Sequence, residues 1–327
     1  MTGSPTTDPS APSRGAAAVR VLAAATAVAT LVLVVAGALV TSHDAGLAVP
    51  DWPTTYGYNM FTYPLSGMQG GVFYEHGHRL MGSLVGLLTV ALGVAALVAE
   101  KRRSVRRMAV AAVVLVVVQG VLGGLRVTRL DLDLAIVHGC VAQGFFALVV
   151  ALFLVTRRAF RALPSRPLAA DASRLRAHSL LVAVLVYAQV VAGALLRHRG
   201  ARLDAHVGLA LVVAIAAFSL AWRSALPRSA DATAPRALRV AAAGVAALVL
   251  TQLFLGLGSF ATTFAGAGVE SGSALEIGFT VAHVAGGALL LATSVATSIL
   301  AFRLVAGPDR AAAAASEGRL EAAGTAA

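Results

Sequence analysis

Eight apolar runs, each long enough to cross a lipid bilayer, decide what this chain can fold into. They cover about residues 21–40, 79–99, 108–126, 134–155, 178–196, 205–222, 238–261 and 278–302. A helix needs roughly 20 apolar residues to span the hydrocarbon core. Inside lipid, every backbone polar group must be satisfied within the segment. The sequence therefore predicts an all-α integral membrane protein of eight transmembrane helices. Composition agrees: 58% of the 327 residues are hydrophobic and 13% are charged, where a soluble domain carries about a quarter charged. The first run, Val21 to Val40, follows Arg20. It exceeds the core of a secretory signal and lacks a clear small-x-small cleavage site, so it reads as a span.

The net charge of +11 raises nucleic acid as a partner, but the placement of the charge argues for a membrane instead. The cations fall in short clusters between the apolar runs: Lys101-Arg102-Arg103 with Arg106-Arg107, then Arg157 to Arg176, then Arg223 to Arg239. These three loops and the two tails hold 20 of the 26 Lys and Arg, whereas the other four loops hold six Arg and eight of the 15 acids. The positive-inside rule then places both termini and the basic loops in the cytoplasm. The sole cysteine, Cys140, lies within an apolar run, so no intrachain disulfide is possible and the cysteine count does not report on redox compartment.

Four histidines open alternate spans: His78, His138, His206 and His283 stand at the start of spans 2, 4, 6 and 8. The charge-derived topology puts all four near the outer face. An internal repeat accompanies them. Gln119-x3-Gly123, Gln189-x3-Gly193 and Gln252-x3-Gly256 recur in spans 3, 5 and 7. His78 and His206 are 128 residues apart, and His138 and His283 are 145 apart. Two copies of a four-helix unit explain both spacings. The expected organisation is a disordered cytoplasmic N-terminus (1–19), a first bundle (20–156), a cytoplasmic linker (157–177), a second bundle (178–303) and a cytoplasmic tail (304–327).

Ionisable groups in a span are costly, and they mark sites by default. Neutral imidazole is a good ligand for iron, zinc or copper. One histidine pair per four-helix unit suggests two axial-ligand pairs, each fit for a haem iron. Zinc is less natural, because no cysteine can join them. For any one histidine, a hydrogen bond across helices is an equally good account. Glu75 lies three residues before His78, on the same helix face. It could move a proton or stabilise positive charge on a ligand, or simply pair with Arg79. Arg79, Arg126, Arg129, Arg197, Arg199 and Arg202 are the outer-side cations, suited to haem propionates or to snorkelling toward headgroups. His43 and His76 fall in the first external loop, about residues 42–77, His198 in the third, and His178 on the cytoplasmic side. His76 is the rival to His78, which is preferred for its spacing from Glu75.

Pro50-Asp51-Trp52-Pro53, Glu75-x-x-His78-Arg79, the His138 span and the His206/His283 spans together resemble the haem A synthase family of cytochrome oxidase assembly proteins. The resemblance covers about residues 20–303. It implies two pseudo-symmetric four-helix bundles in a bacterial-type plasma membrane. It implies oxidation of a methyl group of haem O to a formyl group, giving haem A. Substrate haem would lie between His78 and His138, with Glu75 as the essential acid, and a haem b cofactor between His206 and His283. Haem O synthase and cytochrome oxidase assembly proteins would be partners. One departure stands out: many bacterial members carry two cysteines near the Asp-Trp-Pro stretch, where this chain has Val49 and Thr55. The alternatives are a di-haem b membrane electron carrier and a non-catalytic haem-delivery assembly factor. Glu75 separates them, because a carrier needs the histidines but not that acid.

Overall fold

Each of the eight apolar runs is a helix, and each helix is longer than its run. A computed structural model of the chain describes residues 14–163, 166–167, 172–226, 234–265 and 270–306. The long helices are α1 (Arg14–Ser42), α2 (Gly71–Ala99), α3 (Arg103–Thr128), α4 (Leu132–Thr156), α5 (Ala172–Arg199), α6 (Leu203–Ala225), α7 (Arg236–Thr263) and α8 (Ala274–Leu304). All eight are long and apolar enough to cross a membrane, and the protein is an integral membrane protein.

The extra turns have local causes. Residues 14–19, expected to be disordered, are the start of α1. Alanine is the strongest helix former, and Val19 and Ala23 are buried with Leu92 and Ala96 of α2 and Leu152 of α4. Residues 1–13 lie outside the described residues. At α4, the Asp131 side chain accepts from the Asp133 N–H at 2.8 Å, capping the first turn. At α8, the Ser273 hydroxyl accepts from the Glu276 N–H at 3.4 Å, and Glu276 accepts from the Gly272 N–H at 2.9 Å. That exchange is a capping box displaced by one residue.

The helices form two rings of the same order. In the first, α1 packs on α2 and α4, and α3 packs on α2 and α4. In the second, α5 packs on α6 and α8, and α7 packs on α6 and α8. The rings meet where α8 lies against α1 and α4 and where α4 lies against α5. Helices α4 and α8 are accordingly the most enclosed. The expected linker contains a helical turn, Arg158–Arg161, and a two-residue segment, Arg166–Pro167, paired in parallel with Val305–Ala306. The start of the expected tail is therefore tied to the linker. Residues 164–165, 168–171 and 307–327 lie outside the described residues.

Between α1 and α2 the chain makes a long loop. Thr55 and Tyr58 exchange backbone hydrogen bonds of 3.0 Å each way, with positive φ at both Tyr56 and Gly57. Left-handed conformation at both central residues is the signature of a type I′ turn.

Candidate functional site

Because the chain runs up and down, the first turns of α2, α4, α6 and α8 share one end of the molecule with the last turns of α1, α3, α5 and α7. The four histidines lie at that end, and each meets a glycine on the preceding helix. A Cβ on Gly37 would stand 3.1 Å from Cε1 of His78. The matching figures are 3.3 Å for Gly123 and His138, 3.1 Å for Gly193 and His206, and 3.0 Å for Gly256 and His283. Carbon atoms pack at about 3.5–4.0 Å, so only glycine admits the ring this closely.

The glutamines of the repeat complete the arrangement. Gln119 Nε2 donates to the His138 carbonyl at 3.1 Å, and Gln189 Nε2 donates to the His206 carbonyl at 3.0 Å. Gln252 lies across the turn after His283, where a Cβ on Gly286 would collide with its amide. The Gln-x3-Gly spacing is thus one turn of helix, with the glycine receiving the ring. Gln119 and Gln189 reach the backbone of the facing histidine, Gln189 also meets the His206 ring nitrogens at 3.2 and 3.3 Å, and Gln252 Nε2 is buried without a hydrogen-bond partner. The sequence hides a fourth copy in α1, Leu33-x3-Gly37, because its first residue is not glutamine.

The geometry suits paired axial ligands. The rings of His206 and His283 have centroids 6.3 Å apart. A metal–imidazole bond is about 2 Å, and the nitrogen lies about 1 Å from the ring centre, so two trans ligands on one metal put centroids about 6 Å apart. His78 and His138 interact electrostatically across the first ring. Nδ1 of His78, His138 and His283 is buried without a hydrogen bond. The backbone carbonyls of Leu33, Gln119 and Gln252, four residues before the glycines, interact with these three rings. A ligating histidine commonly gives Nδ1–H to such a carbonyl and leaves Nε2 for the metal. Imidazole is a common protein ligand of a porphyrin iron, whereas zinc takes three or four protein ligands.

Glu75 is buried, one turn before His78. Its Oε1 pairs with Arg79 at 2.8 Å, and its Oε2 accepts from the Val49 N–H at 2.8 Å. Arg79 also donates to the carbonyls of Asp51 (2.7 Å), Thr54 (3.1 Å) and Val49 (2.9 Å). The Thr55 hydroxyl meets His76 Nδ1 at 3.0 Å, and Arg126 donates to the Gly46 carbonyl at 2.8 Å. The loop is thereby strapped across the first ring. Trp52 lies on Gly124, the neighbour of the glycine that receives His138. Within the strap, burial opposes charge on Asp51, but hydrogen bonds from the Gly57 N–H, the Thr54 hydroxyl and the Tyr56 N–H outweigh it and bring its pKa down to about 2.

A family model described as cytochrome oxidase assembly protein matches residues 20–204. The chain belongs to that family. The matched stretch takes in α1 to α5, with Glu75, His78 and His138, and ends two residues before His206. Among individual relatives, a heme A synthase of Symbiobacterium thermophilum is 35% identical over 191 residues, 56% of this chain and 60% of the relative. A heme A synthase of Alkalihalophilus pseudofirmus is 29% identical over 183 residues, 54% and 59% respectively. A protoheme IX farnesyltransferase of Haloarcula marismortui is 36% identical over 125 residues, 38% and 26%. The chain therefore spans less than two thirds of the length of each of these relatives.

The six candidate arginines are unequally placed. Arg79 is committed to the strap. Arg126 lies within electrostatic reach of His78, His138 and Glu75. Arg197 donates to Ser42 at 2.9 Å, Arg199 pairs with Asp133, and Arg202 pairs with Asp204 at 3.6 Å. Arg129 is exposed at the end of α3. Two expectations need correction. His76 is not in the loop but on α2, buried beneath it and 5.1 Å from the Tyr63 ring, because α2 begins at Gly71. His198 likewise belongs to the last turn of α5. His43 stacks on Tyr74 at 3.8 Å just past α1, and His178 bonds the Ala216 carbonyl at 3.0 Å. Gly37 and Gly124 were missed, since a single glycine in a membrane helix carries no signal of its own.

Proposed function

We propose that this protein is a haem A synthase that oxidises a methyl group of haem O to a formyl group. His78 and His138 hold the substrate haem in the first ring, and His206 and His283 hold a haem b cofactor in the second. When bound, the haem irons supply the redox chemistry. The observation that carries this reading is the repeated histidine-on-glycine pair, with the second pair of rings 6.3 Å apart. Family membership and the heme A synthase relatives support the choice of reaction.

The chain's own residues then have distinct tasks. The glycines admit the rings, and Gln119 and Gln189 fix the backbones of His138 and His206. Glu75 shares the face of His78 and uses two of the roughly four acceptor sites of a carboxylate. It keeps capacity to accept a proton or to stabilise positive charge at the macrocycle edge. Arg126 is the best-placed propionate partner. The strap, with Trp52 on Gly124, keeps water from the first site. Both termini and the basic loops face the cytoplasm, which leaves the histidines near the outer face. The partners are haem O synthase and cytochrome oxidase assembly proteins.

The test is extraction and chromatography of haems from protein expressed in a host that makes haem O. Haem A or its hydroxylated precursor beside haem b is expected. Glu75→Ala should retain haem and lose conversion, and His206→Ala should lose the low-spin haem b spectrum. A second reading has one observation in its favour: both Glu75 oxygens serve the strap. On that reading Glu75 is structural and the protein is a di-haem b carrier. Haem b alone, despite available haem O, would select it.

A further inference from the structure

We propose that a gap between α2 and α3, one turn below His78, receives the farnesyl chain of the substrate haem and selects haem O over haem b at the first site. The inference rests on the reading that His78 and His138 hold the substrate and that His206 and His283 hold haem b. Haem O differs from haem b in one substituent, a hydroxyethylfarnesyl group in place of a vinyl group. A site for haem O therefore needs room for a long apolar chain beside the macrocycle, and a site for haem b does not.

Helices α2 and α3 touch where a Cβ on Gly93 would stand 2.7 Å from Cγ2 of Val113. They are antiparallel neighbours, so equal steps from that contact stay level. Seven residues toward the histidine end, about two turns, lie Gly86 on α2 and Gly120 on α3. A Cβ on either would meet nothing within 4 Å, and the same holds for Gly82, a turn nearer His78. These glycines do not face the lipid side of the ring. Glu75 and Gly93 share the helix line of Gly82 and Gly86 and are buried. Ala109 and Val127 share the line of Gly120 and are buried, yet Gly120 itself is exposed. The two helices therefore meet at Gly93 and part toward the histidines. At about 1.5 Å per residue, the bare line from Gly82 to Gly93 is roughly 16 Å long. At its head stands His78, whose Nδ1 is buried without a hydrogen bond. Glycine lets a ligand approach the backbone closely, which suits a flexible apolar chain.

The second ring carries side chains at the matching places. Counted from His206 and from Gly256, the positions of Gly82, Gly86 and Gly120 are Ala210, Ala214 and Leu253. Leu253 follows the buried Val249, Ala246 and Ala242 by four, seven and eleven residues, so it stands on the helix face that Gly120 leaves bare in α3. Gly208 also has open space around it, but it is two residues after His206 and so on the far side of α6. The ring read as the substrate site is thus the one with the gap.

The test is haem analysis of the full chain, purified from a host that makes both haem O and haem b. The wild type should hold one farnesylated haem, as haem O or its oxidised products, and one haem b. Gly120→Leu should still hold two haems, with haem b replacing the farnesylated one and the preference of the first site for haem O falling about 10- to 200-fold. Gly86→Ala, a smaller intrusion, should move the same ratio in the same direction by less, and it decides the matter if Gly120→Leu does not fold. An unchanged ratio in the folded variants would overturn the proposal and leave the two-site reading standing. Loss of first-site haem of both kinds would place Gly120 against the macrocycle rather than the chain, and would overturn the proposal too. Haem b alone in the wild type would overturn the two-site reading and the proposal with it.

Discussion

Arg79→Ala should release the loop more completely than Glu75→Ala, although the two residues share one ion pair. Arg79 makes four hydrogen bonds within the strap, three to carbonyls and one to Glu75. Its side chain is 11% exposed and that of Glu75 is 5% exposed. Removing one partner of a buried pair costs about 3–5 kcal/mol. At about 1.36 kcal/mol per tenfold change, the open population of the loop rises about 10²- to 10⁴-fold. Glu75→Ala leaves the guanidinium on three carbonyls and removes one charge-assisted bond plus the acceptor of the Val49 N–H. Glu75→Ala breaks the same pair, but it loses two hydrogen bonds to a charged group, worth about 1.5–3 kcal/mol each, where Arg79→Ala loses four, so its rise should be the smaller of the two. Amide hydrogen exchange of peptides containing Val49 and Thr55, in nanodiscs, reads this local opening directly. An equal or larger effect of Glu75→Ala would refute the assignment of Arg79 as the centre of the strap. Exchange unchanged in both variants would refute the strap itself.

Gly256→Ala should displace His283, because the new Cβ would stand 3.0 Å from its ring. Overpacking of this kind costs about 1–3 kcal/mol, and the low-spin haem absorbance should weaken or shift, while Gly244→Ala, with nothing within 4 Å, leaves it intact. Gly124→Ala should expel the Trp52 ring from its seat, read as a red shift of Trp52 fluorescence in a Trp222→Phe background. Asp51 has a folded pKa of about 2 against an ordinary 3.8, so its contribution to the turn at 51–57 is complete above about pH 4. That contribution is lost as pH falls toward 2. Loop protection should hold from pH 7 to about 4, and Asp51→Asn should remove the acid-dependent part of its loss.

The features that lipid enforces were legible in the sequence. A span must be helical and apolar over a fixed length, so eight runs became eight helices and four intramembrane histidines stood out. The helix starts were not legible, because Gly71 to Gly77 reads as polar loop until its burial under residues 49–63 is seen. For that reason His76 was assigned to the loop. The partners of Glu75 were half legible. Arg79 is four residues away, at helical spacing, but the Val49 N–H is 26 residues away in sequence and is a backbone group that no side-chain pattern reports. Val49 and Thr55 show the same limit. They stand where the family resemblance leads one to expect cysteines, and side-chain chemistry alone suggests that a staple has been lost. In the fold both are fully buried. Val49 is held through its N–H and carbonyl, which any residue would offer, and Thr55 through a hydroxyl on His76. The loop therefore keeps its attachment to α2 without a covalent bond. Because these tethers are hydrogen bonds around Glu75 and Arg79, strength in the strap and access to the first histidine pair are set by the same few groups.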